Sequence, residues 1–163
     1  MATTNLSVYD IQNLPDATPM RIGIVVSEWN SEITDALLSG CVDVLKSAGI
    51  ATENLHIIYV PGSFELPLGA QLLLENKNCD GVICLGCVIR GETPHFEFVC
   101  NACAQGVMEM NFLHNKPVIF GVLTDNNIEQ SRARSGGALG NKGTEAAVTA
   151  IKMIALRNQL SVG

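Results

Sequence analysis

Positive charge is scarce in this chain: 10 lysines and arginines stand against 16 aspartates and glutamates, a formal net charge of −6 at pH 7. Such a surface repels a phosphate-coated polymer on average, so nucleic acid is excluded as the expected partner. Long hydrophobic runs are also missing. No apolar stretch approaches the roughly 18 residues that a membrane span requires, and no membrane partner is expected. Residues 1–19 are polar and show no basic-then-apolar signal pattern, so the expected location is cytoplasmic. There the 6 cysteines stay reduced, and no disulfide is expected. Charged residues make up only 16% of the chain and aromatics 5%, while hydrophobic residues reach 47%. That balance excludes a disordered chain, and 163 residues suffice for one domain with a core.

Four apolar runs organise the sequence, at 22–26, 55–60, 81–89 and 117–123. Each is short, rich in Val and Ile, and continuous, as strands buried on both faces read. Segments of helical spacing lie between them. In 31–48 the apolar positions are Ile33, Leu37, Cys41, Val44, Leu45 and Ala48, with Ser31 as the expected N-cap and Gly49 as the stop. Further helices are expected at 67–75, with Pro67 suited to a first turn, at 96–114, at 128–134, and from about 144 to 160. Strands alternating with helices predict parallel pairing through right-handed crossovers. The expected fold is α/β, a three-layer α/β/α sandwich around a four-stranded parallel sheet of flavodoxin-like order. Residues 21–160 form its single domain. Residues 1–20, with Leu6, Val8, Tyr9 and Ile11, belong to no crossover unit; they read as an extended segment, either a loose tail or a strand added to another sheet.

Ligands of such sheets sit beyond the carboxyl ends of the strands, which here are residues 27–30, 61–65, 90–95 and 124–127. Trp29, the only tryptophan, precedes a helix beside Asn30. It reads equally as a packing residue or as a plate for a flat heterocycle. Glu65 opens a helix, where a carboxylate ordinarily serves only the helix dipole. It could also accept hydrogen bonds from a polyhydroxylated ligand, with Ser63 beside it. The run from Gly86 to His95 is the most informative. Gly91 permits a sharp turn, Thr93 offers a hydroxyl and an N–H before a helix, and helix starts attract anions. His95 at the same helix start suits proton transfer near neutral pH. His56 and His114 read as structural. In the glycine-rich stretch 134–143, Arg134 suits a bidentate phosphate clamp and Lys142 a second cation, though a solvated loop is the plainer reading. Its spacing is not that of a P-loop.

Cys84, Cys87, Cys100 and Cys103 are spaced like a four-cysteine zinc site. Cys84 and Cys87 fall in one strand, however, and residues three apart there point to opposite faces. No metal is expected.

Five segments, in this order and spacing, resemble the lumazine synthase family: Trp29-Asn30, Pro61-Gly62-Ser63-Phe64-Glu65-Leu66-Pro67, Gly86 through His95, Phe120-Gly121-Val122-Leu123-Thr124, and Gly140-Asn141-Lys142-Gly143. The resemblance runs from Arg21 to Leu156, and Arg90-Gly91-Glu92-Thr93-Pro94-His95 is its most specific part. It implies a transferase of riboflavin biosynthesis that condenses 5-amino-6-(D-ribitylamino)uracil with 3,4-dihydroxy-2-butanone 4-phosphate. The amine forms a Schiff base with the ketone, phosphate is eliminated, and the ring closes with loss of water. It further implies that the pyrimidine stacks on Trp29 with Asn30 nearby, and that Ser63, Phe64, Glu65 and Cys87, Val88 and Ile89 bind the ring and ribityl chain. Glu92, Thr93 and Arg134 would hold the phosphate, His95 would move protons, and Lys142 would lie close by. Phe120 and Arg134 would reach in from a neighbouring subunit. The implied assembly is a homopentamer, with the short stretch after Arg134 favouring a sixty-subunit icosahedral shell, and with riboflavin synthase as a further partner. No cofactor is implied: both substrates are reactive, proximity does much of the work, and one acid–base group adds about 10²–10⁴-fold.

Overall fold

Each continuous apolar run becomes one strand of a parallel sheet. The computed structural model describes residues 9–161. In it β1 (Ile22–Ser27), β2 (Leu55–Val60), β3 (Gly81–Ile89) and β4 (Val118–Asp125) pair in the order β2-β1-β3-β4. Ile22 aligns with both Leu55 and Gly81, and Val82 with Val118, all in parallel register. The crossovers are α1 (Ser31–Ser47), α2 (Leu66–Asn76) and α3 (His95–His114). After β4 come α4 (Ile128–Arg134), a small hairpin of β5 (Ser135–Gly137) and β6 (Gly140–Asn141), and α5 (Lys142–Ser161). Helices α1 and α5 cover one face and α2 and α3 the other, which makes the three-layer α/β/α sandwich of flavodoxin-like order.

The strand alternation distributes the core between those faces. Ile22, Ile24 and Val26 of β1 pack with Leu37, Leu45, Ile151 and Ile154. Val25 points the other way, to Leu66, Leu73, Cys103 and Val107. All six residues of β1 are buried, so the central strand has no polar face to show. Removing each of its Ile and Val side chains from water stabilises the fold by roughly 1.5–3 kcal/mol, before chain entropy is set against it.

Several local expectations need correction. β2 is not buried on both faces. It is one of the two edge strands, and Ile57 and Tyr59 are 40% and 53% exposed; β4, the other edge, leaves Phe120 42% exposed. Helix α1 is not capped by Ser31: Asn30 is its N-cap, in the left-handed region at φ 58°. Asparagine tolerates that conformation better than most residues do. The helix stops before Gly49, whose φ of +89° suits glycine. The glycine-rich turn is partly ordered as the β5–β6 hairpin, and α5 begins two residues early, at Lys142.

Of the N-terminal segment, Leu6 and Val8 lie outside the described residues. Tyr9 and Leu14 pack on the α1/α5 side of the core, and Ala17 and Met20 are buried in it. Residues Ile11–Asn13 form a 3-10 turn rather than an extended stretch, opened by the Asp10 carboxylate accepting from the Gln12 amide at 3.0 Å. No helix among the described residues is long and apolar enough to cross a membrane.

Candidate active site

The carboxyl ends of β1, β2 and β3 meet in a cleft of about 660 Å³. Backbone bonds fix its rim: the amides of Glu28 and Trp29 donate to the carbonyls of Val60 and Pro61 at 2.9 and 3.2 Å. The short turn this creates leaves Trp29 73% exposed, standing at the mouth. An indole this exposed adds little to the core of its own chain and is open to whatever enters the cleft. Asn30 follows, and its side-chain amide donates to the Cys87 carbonyl at 2.9 Å. Thr34 donates its hydroxyl to the Ser27 carbonyl at 2.8 Å, which ties α1 to the end of β1.

The wall from β2 is a 3-10 turn, Ser63–Glu65, leading into α2. Ser63 is 5% exposed, lines the cleft, and its Oγ has no hydrogen-bond partner. A buried hydroxyl without a partner costs about 1–3 kcal/mol, which a ligand can recover by pairing with it. Gly86 makes room for that hydroxyl: a Cβ there would come within 2.7 Å of Ser63 Oγ. Phe64 is 61% exposed beside it. Glu65 holds the N-cap position of α2 but makes no capping hydrogen bond with its side chain. A Cβ on Gly62 would lie 3.1 Å from Glu65 Oε2 and 3.5 Å from Trp29 Cδ1, so the carboxylate and the indole flank one glycine.

The third wall is the end of β3, with Cys87, Val88 and Ile89, and the first turn of α3, with His95 and Val99. Nine of the sequence-predicted residues thus line a single cleft: Trp29, Asn30, Ser63, Phe64, Glu65, Cys87, Val88, Ile89 and His95. Glu92 and Thr93 are exposed on the connection between β3 and α3.

Phe120, Arg134 and Lys142 lie elsewhere. They line a second depression of about 440 Å³, against β4 and the start of α5, which shares no lining residue with the first. Phe120 pairs with Cys84 partway along β4, an edge strand, and is 42% exposed. The Arg134 guanidinium faces Asp125, Nε to Oδ1 at 3.8 Å, and the Lys142 ammonium pairs with Glu145 at 2.6 Å.

The cysteines divide between the two sides of the sheet. Cys84 and Cys103 belong to the α2/α3 side, and Cys87 to the α1/α5 side. Burial pushes the thiols up: Cys41 and Cys103 to about 12 and Cys79 to about 11, with Cys84, Cys87 and Cys100 also raised, and burial the leading cause in each case. All six are free, and none but Cys100 has partial exposure. Among the described residues no group of three or more His, Cys, Asp or Glu side chains could hold a metal ion.

The family model for 6,7-dimethyl-8-ribityllumazine synthase matches residues 19–158. The chain belongs to the lumazine synthase family. A relative of that name from Parabacteroides distasonis is 54% identical over 156 residues, covering 94% of this chain and 98% of its own. One from Cytophaga hutchinsonii is 55% identical over 154 residues, 94% of this chain and 96% of its own. One from Flavobacterium psychrophilum is 51% identical over 162 residues, 99% of this chain and 86% of its own.

In this member of the lumazine synthase family some residues around the site had no role in the sequence reading. Arg90, present in the sequence only as the start of the Arg90-to-His95 motif and with no role given to it, bonds Glu97, donates Nε to Asn126 Oδ1 at 3.0 Å, and stacks 4.3 Å from the Phe96 ring centroid. It thereby fastens the β3–α3 connection that carries Thr93 and His95. Asp125 and Ser131 are two more, joined at 2.8 Å beneath Arg134. What marks Asp125 is its burial, which only the folded chain shows; carboxylates are seldom buried unless paired.

Proposed function

We propose that a complete catalytic pocket is assembled from two copies of this chain, the Trp29 cleft of one and the Phe120–Arg134–Lys142 flank of the next. The observation that carries this reading is the division of the ligand-like residues between two depressions with no common wall. One lies at the carboxyl ends of the strands and the other along the outer side of β4. Joined across an interface, they hold an aromatic plate, a proton carrier and two cations around one space.

The reaction is the family's condensation of 5-amino-6-(D-ribitylamino)uracil with 3,4-dihydroxy-2-butanone 4-phosphate, giving 6,7-dimethyl-8-ribityllumazine. The pyrimidine stacks between Trp29 and the Phe120 of the adjoining copy. The unpartnered Ser63 hydroxyl, the Glu65 carboxylate and the backbone of Val88 and Ile89 take the ring and the ribityl hydroxyls. Arg134, with the N–H and hydroxyl of Thr93, holds the phosphate, while the Glu92 side chain points away from it and only its N–H contributes. The primary amine attacks the ketone, and water leaves to give the Schiff base. His95 shuttles protons in that step and in the loss of phosphate, after which the second amine closes the ring with loss of water. Holding amine and ketone together supplies most of the acceleration.

A heterologous contact that meets itself after a fixed rotation closes into a ring. A homopentamer is the ring we favour. The stretch between Arg134 and Lys142 is only a short hairpin, which supports further closure of rings into a sixty-subunit shell, with riboflavin synthase as its functional partner and the cytoplasm as its location.

The test mixes His95→Ala and Arg134→Ala chains after dissociation and follows lumazine absorbance with both substrates. Pockets built from two chains include some with neither lesion, so activity returns in part. No recovery in rings shown to be hybrid, or a mass of one 17.4 kDa chain by light scattering, sinks the shared pocket.

A further inference from the structure

The mechanism above uses Arg134 but gives no task to the carboxylate beneath it. Asp125 is the last residue of β4, aligned with Ile89 at the end of β3, and it is 6% exposed. Both of its oxygens are engaged. Oδ2 accepts the hydroxyl of Ser131 at 2.8 Å, and Ser131, fully buried, in turn accepts the Cys87 thiol at 3.4 Å. Oδ1 faces Arg134 Nε at 3.8 Å, an ion pair too long to be a hydrogen bond. The Asp125 main-chain carbonyl also accepts the Arg90 amide at 2.9 Å, so the residue is held at backbone and side chain alike.

A carboxylate this deep is costly to bury unless a cation answers it, and Arg134 is the cation within reach. The contact is made through Nε. A guanidinium held on that side presents its other edge, Nη1 and Nη2, away from the carboxylate, and that edge is the one that grips an anion with two parallel bonds. We infer that Asp125, oriented by Ser131, is a positioning residue that sets the Arg134 guanidinium for the phosphate of the ketone substrate. The inference rests on the reading of Arg134 as the phosphate clamp. Asp125 touches no reacting atom; it acts through Arg134 alone. Without it the arginine is free to turn about its long side chain, and productive phosphate contacts become rarer.

Steady-state kinetics on the assembled full-length protein separates this from a purely structural role. Four variants serve: Arg134→Ala, Asp125→Asn, Ser131→Ala, and the double variant Asp125→Asn with Arg134→Ala. Asp125→Asn keeps an acceptor for Ser131 and removes the charge. It is expected to raise KM for the ketone phosphate, and the inhibition constant of inorganic phosphate, roughly 5- to 20-fold. KM for the pyrimidine should stay within about twofold. Ser131→Ala moves the same two constants in the same direction, by about two- to fivefold, and decides the matter should Asp125→Asn fail to assemble. The double variant should be no worse than Arg134→Ala. If Arg134→Ala itself leaves both phosphate-dependent constants unchanged, the clamp reading fails and the positioning role goes with it. If Arg134→Ala raises them while Asp125→Asn and Ser131→Ala do not, the clamp stands and the positioning role is overturned. An equal rise in both substrates' KM, or a further loss when Asp125→Asn is added to Arg134→Ala, overturns it as well.

Discussion

The side-chain amide of Asn30 donates to the main-chain carbonyl of Cys87 at 2.9 Å, joining the loop after β1 to the end of β3. Two walls of the cleft are therefore tied to each other, with Trp29 on the first and Val88 and Ile89 on the second. The bond takes one of the two lone pairs of the Cys87 carbonyl. It explains why Asn30 accepts a left-handed backbone: that turn aims its amide across the sheet.

Replacing His95 with Ala should lower kcat by roughly 10- to 10³-fold while both KM values change little, as expected for loss of one acid–base group. His95 opens α3 within the cleft, with no other histidine lining it. An unaltered kcat between pH 6 and 8, measured by lumazine formation, would remove it from the mechanism.

Trp29 is the only tryptophan, so its fluorescence reports on the cleft directly. Binding of the pyrimidine should quench it, and Trp29→Ala should raise KM for the pyrimidine on the order of 10- to 100-fold, the range expected from one lost stacking surface. An emission spectrum indifferent to saturating pyrimidine would mean that the indole is not the plate.

Purified protein should carry well under one zinc per chain, and chelator should leave activity intact. Cys84 and Cys87 face opposite sides of the sheet, so the four closely spaced cysteines cannot converge on one ion. Elemental analysis checks this; stoichiometric zinc, lost together with the fold, would contradict it.

His56 gives stability a pH dependence of known sign. Partial burial, with Arg21 and Lys77 nearby, lowers its pKa in the folded chain below the 6.5 of an unperturbed imidazole. Between those two values the unfolded chain binds the additional proton, so stability is undiminished above about 6.5 and falls as pH drops through the window. His56→Gln should flatten the fall in Tm below that point. An unchanged slope in thermal melts would assign the acid sensitivity to other groups.

The sheet was legible because a strand buried on both faces leaves an unbroken apolar run, as β1 and β3 do. The same reasoning misjudged β2, whose run is equally continuous although its outer position leaves Ile57 and Tyr59 uncovered. Apolarity registers what a residue can bury, not whether this chain alone buries it. Local caps were harder. Ser31 and Asn30 are equally favoured N-cap types, so composition could not choose between them; the cap is Asn30, whose side chain bonds the Cys87 carbonyl instead of the helix start. The cleft itself was readable from strand ends. Asp125 and Ser131 were not, because their pairing depends on how α4 folds back over β4, which no motif records.

The concealment of the thiols has a consequence for how the protein can be handled. Within the fold, burial keeps the thiolate form rare and five of the six sulfurs out of reach of oxidants. Unfolding restores all six to the ordinary reactivity of cysteine at once, on a chain whose native state contains no cross-link to guide them back. In air, then, denaturation should become a one-way street through scrambled disulfides. The same cycle under a reductant should remain reversible, so the order that hides the sulfurs is also the chain's only antioxidant.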